Sequence, residues 1–253
     1  MTDPRPSDLP PAIPAATLIL LREGPDGGPP ETLMVRRTAH MAFAAGAWVW
    51  PGGRIDPADH DHASAPADSV AAAREMLEEV GIAIGLSPAP DAETSAALQQ
   101  RLLAHDPLLQ LLERHGLDLD PAAFTRFARW APNLNLKRRF DTWFIIARAP
   151  EGLPERHHQE AEVAASRWIT PAAMLEEIAA GNAHAIFPTL RNLERLAKAR
   201  TVDDIFADAA THPVEKIVPW VEGEGEAKML CIPEGAGYPV TRSPLSSAFR
   251  GVH

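Results

Sequence analysis

The sequence predicts an α/β fold. Short apolar runs of strand length recur along it, stretches of helical period lie between them, and clusters of Gly, Pro and Asp punctuate the two. Residues 16–22 (ATLILLR) and 32–37 (TLMVRR) flank a Gly/Pro-rich turn and read as a hairpin. Residues 48–55 read as another extended segment, broken at Pro51-Gly52-Gly53. A helix is predicted over 69–80, strands over 142–148 (TWFIIAR) and 162–169 (EVAASRWI), and a helix over 171–180, with Pro171 in its first turn and Gly181 at its exit.

Two additions surround these pieces. Between about 87 and 133, residues 92–105, 107–115 and 121–130 read as three short amphipathic helices divided by Asp-Pro or Gly breaks, together a helical cap. Toward the C-terminus, helices are expected over 188–200 and 202–210, then a small hairpin pairing 216–221 with 228–232 across the turn-prone GEGE stretch. The organisation expected is a flexible arm over 1–14, a domain over 15–200 carrying the insertion, and an extension over 201–253 packed on the same domain.

Charge and composition narrow the class. A net charge of -10 argues against general binding to nucleic-acid backbones, which calls for a basic footprint. Cys231 is the only cysteine, so no intramolecular disulfide forms, and its simplest reading is a small core residue. No apolar run reaches the ~18 residues needed to span a bilayer, and the N-terminal stretch is acidic and proline-rich. The expectation is a cytoplasmic enzyme acting on a small molecule, without a membrane, with a homodimer left open. Asp59-His60-Asp61-His62 and His157-His158 hold metal-ligating residue types without ligand spacing and read as solvated loops.

The chemistry concentrates in Arg74-Glu75-Met76-Leu77-Glu78-Glu79-Val80-Gly81-Ile82. At ~100° per residue, Glu75, Glu78 and Glu79 share about a third of the helix circumference, while Val70, Ala73, Leu77 and Val80 gather opposite. The acids repel one another, and the last two sit at the negative end of the helix dipole before Gly81. A hard divalent cation with oxygen ligands, Mg²⁺ or Mn²⁺, is the simplest compensation, and such ions accept phosphate oxygens in their remaining positions. The plain alternative for a Glu-Glu pair on a helix is a solvated face.

This stretch, preceded by Pro51-Gly52-Gly53, resembles the signature of the Nudix hydrolases, G-x5-E-x7-R-E-U-x-E-E-x-G-U with U a bulky aliphatic. The second half matches from Arg74 to Ile82; in the first, Gly53 takes the place of the glycine and Asp59 that of the first glutamate. Fourteen residues separate Asp59 from Arg74, twice the spacing of the signature, which implies a loop lengthened within 59–67. The resemblance implies an α/β/α sandwich around a mixed sheet and hydrolysis of a diphosphate linkage. It also implies Glu78, Glu79 and the Gly52 carbonyl as metal ligands, and Glu75 as ligand of a second ion or base for the attacking water. Arg74, one turn before Glu78, would hold that carboxylate in place. An acid from outside the signature would be Glu162, or Glu160 as the alternative.

Upstream, Leu33, Arg36, Gly46 and Pro51-Gly52-Gly53 resemble the region preceding the signature in coenzyme A and acyl-CoA diphosphatases, although Ala42 stands where a second arginine belongs and Trp50 replaces a phenylalanine. Arg139-Phe140-Asp141-Thr142 and Phe187-Pro188-Thr189 are similar to the long members of that branch. The substrate implied is CoA or acyl-CoA; an ADP-ribose or nucleotide-sugar diphosphatase and a non-catalytic Nudix-fold nucleotide-binding protein are the alternatives. Arg36, Trp48 and Trp50 are the candidate substrate-binding residues, each with a structural alternative: a solvated strand arginine, or a tryptophan in the core.

Overall fold

The computed structural model describes residues 11–39, 44–131, 139–153 and 163–248. Strands β1 (Ile13–Arg22), β2 (Glu31–Arg37), β3 (Trp48–Val49) and β4 (Gly52–Arg54) come first, followed by helix α1 (Ala67–Val80). The short strands β5 (Leu86–Ser87) and β6 (Asp118–Leu119) bracket α2 (Ala92–Leu103) and α3 (Leu108–His115). Then come β7 (Thr125–Trp130), β8 (Phe140–Arg148), β9 (Val163–Ile169), α4 (Pro171–Ala179), α5 (Phe187–Leu196) and α6 (Val202–Thr211). Strands β10 (Lys216–Ile217), β11 (Trp220–Glu222), β12 (Met229–Cys231) and β13 (Arg242–Pro244), and the single turn α7 (Leu245–Ala248), complete the described chain.

Among the described residues eight strands make one mixed sheet in the order β10-β7-β8-β1-β2-β3, with β4 paired to β1 and β9 to β2. Strand β1 is central and reads as a near-continuous apolar run because both its faces are covered. Ala16, Leu18 and Leu20 pack with Ala71, Ala72, Met76 and Val80 of α1. Ile19 and Leu21 pack on the other side with Met174 of α4, Phe187, Leu193 and Leu196 of α5, and Val202 and Ile205 of α6. The result is the expected α/β/α sandwich.

Three local expectations are corrected. Residues 121–130 are not a third cap helix: a short 3-10 turn at Pro121–Ala123 leads into β7, which joins the main sheet antiparallel to β8. Phe127 and Trp130 lie at helical spacing, but the ladder to β8 and a buried partner for each ring outweigh that local signal. The small hairpin exists as β11 and β12, but Lys216 and Ile217 pair in parallel with Arg129 and Trp130, extending the large sheet. Finally, α1 does not bury a single face. Val70, Ala73 and Leu77 meet Leu98 and Leu102 of α2 and Leu108, Leu111 and Leu112 of α3, so the helix is held between the sheet and this helical pair. The small side chains Ala71–Ala73 make room on both sides.

Candidate active site

The loop before α1 is fixed from three directions. The Trp50 indole N–H donates to Thr32 Oγ1 at 2.8 Å, and the Pro51 carbonyl accepts from the Leu18 amide at 2.9 Å. Beyond them Gly52, Gly53 and Arg54 pair with Thr17, Ala16 and Ala15. Both glycines are required by close approach. A Cβ on Gly52 would lie 2.4 Å from the Ala16 carbonyl oxygen, and one on Gly53 would lie 2.3 Å from Glu75 Oε1. Gly53 therefore lets the carboxylate of α1 settle against the loop.

Arg74 organises the acids. Its Nε donates to Asp59 Oδ1 at 3.1 Å and its Nη2 to Asp59 Oδ2 at 3.0 Å, while Nη1 reaches Glu75 Oε1 at 2.7 Å and Nη2 also reaches the Arg54 carbonyl at 2.8 Å. Glu78, the partner expected from the sequence, stands 3.8 Å from Nη1, an ion pair beyond hydrogen-bond length. Burial alone would lower the Arg74 pKa. The hydrogen bonds it donates to Asp59 and the charges of Glu75 and Asp59 more than offset it and hold the guanidinium charged. Asp59 is itself buried and takes the Asp56 amide at 2.8 Å, so the first part of the lengthened loop is folded onto the site.

These groups line one cleft of about 1010 Å³. At one end stand Asp56, Asp59, Glu75, Glu78 and Glu79 with Gly52 and Gly53, five carboxylates against the guanidiniums of Arg54 and Arg74. The floor is a lateral row of paired residues, Arg54, Ala15, Thr142 and Trp130, contributed by β4, β1, β8 and β7. At ~4.8 Å per strand the row spans ~14 Å. Small side chains carpet its middle, Trp130 closes the far end, and Phe144, Ile186 and Pro188 add further apolar lining. Arg37, Arg139 and the α2–α3 connection, His105 to Leu108, form further walls.

Among the residues expected from the sequence, the cleft brings together Arg74, Glu75, Glu78, Glu79, Gly52 and Trp50. Arg36 is exposed and is not a lining residue; Arg37 is. Neighbouring residues of a strand point to opposite faces, so only one of the two can reach the cleft; the ladder irregularity beside them lies on β9, where Arg36 pairs with Ala165 and Arg37 with Val163. Trp48 is buried away from the lining, with the Arg167 guanidinium 4.4 Å from its ring centroid. Glu160 and Glu162 lie outside the described residues. Sequence reasoning missed the Asp59–Arg74 pairing and the His105–Asp106 wall; an acid at the signature's glutamate position was the available signal for the first, and no local signal marked the second.

The family model for the NUDIX domain matches residues 12–190. The chain belongs to the Nudix family. A crystal structure of a NUDIX hydrolase from Alicyclobacillus acidocaldarius is 28% identical, with a TM-score of 0.68 over 78% of this chain and 96% of that one. A MutT protein from Methanosarcina mazei Go1 is 16% identical, with a TM-score of 0.43 over 74% of this chain and 94% of that one. The NUDIX domain of Shewanella oneidensis NrtR, complexed with ADP ribose, is 15% identical, with a TM-score of 0.45 over 78% of this chain and 92% of that one. As a Nudix hydrolase the chain acts on phosphorus-containing anhydrides, and the family generally uses divalent metal ions.

The Nudix acids suit such an ion by chemistry. Among the described residues no three Asp, Glu, His or Cys side chains are gathered closely enough to hold an ion by themselves. The donors at the acid end of the cleft are all oxygens, with the Glu79 carboxylate on a buried residue. An all-oxygen, partly open set fits a hard cation that keeps waters and takes substrate oxygens. Among the described residues no helix is long and apolar enough to cross a membrane.

Proposed function

We propose that this Nudix hydrolase is a Mg²⁺- or Mn²⁺-dependent diphosphatase of CoA or acyl-CoA. Water would add across the diphosphate linkage to release adenosine 3',5'-bisphosphate and 4'-phosphopantetheine, which keeps its S-acyl group when the substrate is an acyl-CoA. The observation that carries the reading is the length of the cleft, which runs ~14 Å across four strands from the carboxylates to the ring of Trp130. A compact mononucleotide would leave the apolar end empty. A diphosphate with a long arm fills it, and Arg37 and Arg139 supply positive charge on the walls for further phosphate.

Within this reading Glu78, Glu79 and the Gly52 carbonyl hold the ion, and Arg74 holds Glu75 beside Gly53. Glu75 either holds a second ion or accepts the proton of the attacking water, with Glu162, or Glu160 in its place, as the acid from outside the signature. When bound, the ion neutralises charge developing on the phosphoryl oxygens and lowers the pKa of a bound water. Trp50, fixed by Thr32, keeps the loop closed over the reacting phosphates.

The test is hydrolysis of CoA, acetyl-CoA, a long-chain acyl-CoA, ADP-ribose and UDP-glucose with Mg²⁺ or Mn²⁺, products separated by chromatography. Preference for the CoA compounds is expected. Preference for ADP-ribose or the nucleotide sugar would replace the substrate and keep the chemistry; tight nucleotide binding with no turnover would make the protein a binding module.

A further inference from the structure

The C-terminal turn of α1 carries Glu78 and Glu79, and its carbonyls are the ones a helix cannot satisfy internally. The Leu77 carbonyl accepts from the Gly81 amide at 2.9 Å, with Gly81 in the left-handed conformation, φ 74°. The Glu78 carbonyl is served from elsewhere: Gln99 of α2 donates its side-chain amide N–H to it at 3.0 Å. Gln99 is 5% exposed, and its Oε1 lies against Gly81, 3.1 Å from where a Cβ would stand. The amide orientation follows from the contact, since the opposite one would set two oxygens together.

The same helix makes a wall of the cleft. Leu102 of α2 and the connection after it, His105 to Leu108, line the cavity that Glu75, Glu78 and Glu79 share. That connection is stiff. His105 adopts φ 65°, a conformation rare for a non-glycine residue, and its amide is bonded to the Leu102 carbonyl at 2.8 Å. The Asp106 amide bonds to the Arg101 carbonyl at 3.1 Å. One buried amide thus links the helical insertion, which touches substrate space, to the helix turn that presents two acids.

We propose that Gln99 is a positioning residue for the Glu78–Glu79 turn: its N–H fixes the last turn of α1 and delivers a positive dipole to the negative end of that helix. This tunes how tightly the two carboxylates hold a divalent ion and couples that grip to the substrate-facing wall of α2. The inference rests on the reading of Glu78 and Glu79 as ion-holding residues. It assigns a role to a neutral side chain that no acid pattern in the sequence marks, and it acts through Glu78 rather than on substrate.

Two variants isolate the donor. Gln99→Met keeps length and approximate volume without hydrogen bonding, and Gln99→Glu keeps the shape but puts an acceptor where the donor was. Mn²⁺ binding to metal-free protein, read from the loss of the electron paramagnetic resonance signal of free Mn²⁺ below each variant's Tm, should weaken ~10-fold in both. Raising Mn²⁺ should recover kcat, and KM for the best substrate should change less than twofold. Wild-type Mn²⁺ affinity in both variants, with or without a lowered Tm, would overturn the proposal and reduce Gln99 to a packing residue. Undiminished Mn²⁺ affinity in Gln99→Met alone would do the same, because that variant lacks the donor. Failure of the wild-type protein to bind Mn²⁺ would instead remove the ion-holding role of Glu78 and Glu79, and the Gln99 role with it.

Discussion

Asp59 and Arg74 form a two-bonded ion pair, at 3.1 and 3.0 Å, across the fourteen residues that separate them. Both are buried, so neither charge is cheap to leave alone. Asp59→Ala should lower the unfolding free energy by ~2–3 kcal/mol, since Arg74 would keep its hydrogen bonds to Glu75 and the Arg54 carbonyl and the longer ion pairs with Asp56 and Glu78, but lose its two-bonded buried partner. Activity should fall ~10-fold as Glu75 loses its fixed neighbour. Urea titration and kcat at saturating metal check the two effects, and an unchanged urea midpoint would sink the stabilising role.

Glu78→Gln and Glu79→Gln should each cut kcat by about two orders of magnitude or more, because each removes a carboxylate proposed to hold the ion. Without metal, either variant should be as stable as the parent or slightly more so, since repulsion at the negative end of α1 is relieved. Calorimetry in chelator and steady-state rates in Mg²⁺ separate the two effects. Near-wild-type turnover in both variants would end the assignment.

Arg37 rather than Arg36 should decide recognition of an extra phosphate, because only Arg37 lines the cleft. Arg37→Ala should raise KM for CoA by ~10-fold and for dephospho-CoA by less, while Arg36→Ala leaves both near wild type. Equal KM changes for the two substrates in Arg37→Ala would detach this arginine from the 3'-phosphate.

A pH effect follows from Glu194 on α5. Burial pushes its carboxyl up to about 7 although the Arg191 guanidinium lies 2.6 Å away, and its second oxygen is buried without a hydrogen-bond partner. The folded-state pKa lies above the unfolded value of 4.5, so the stabilising proton is fully present below pH 4.5 and is lost as pH rises through about 7. Stability from this group should decline across that window by ~2 kcal/mol, or roughly 5 °C in Tm. Glu194→Gln should flatten the decline; an equal slope of Tm against pH in both proteins would show that Glu194 does not carry it.

The fold and the acidic helix were legible because their signals are local: apolar runs for β1, β2 and β8, and the uninterrupted half-signature from Arg74 to Ile82. What stayed hidden depended on distant partners. The strand β7 was masked by a helix-like spacing of Phe127 and Trp130 that only the ladder to β8 overrides. Arg36 and Arg37 point to opposite faces of β2, and which face meets the cleft is set by the assembled sheet and not by local propensity. The role of Asp59 was obscured by the lengthened loop, whose later part is pinned by His62: its Nδ1 accepts from the Ala65 amide at 2.8 Å and its Nε2 lies 3.0 Å from Asp118.

Trp130, at the apolar end of the cleft, donates its indole N–H to the Tyr238 hydroxyl at 3.0 Å, and that hydroxyl donates to Asn192 at 2.8 Å. The match to the family stops at residue 190, yet the ring bounding the cleft is held in place by residue 238. Sequence drift in that distal segment therefore reaches the cleft from behind, with no change to any acid of α1. Two chains sharing every letter of the signature can then differ in the molecules they admit, and comparing signatures alone would miss the difference.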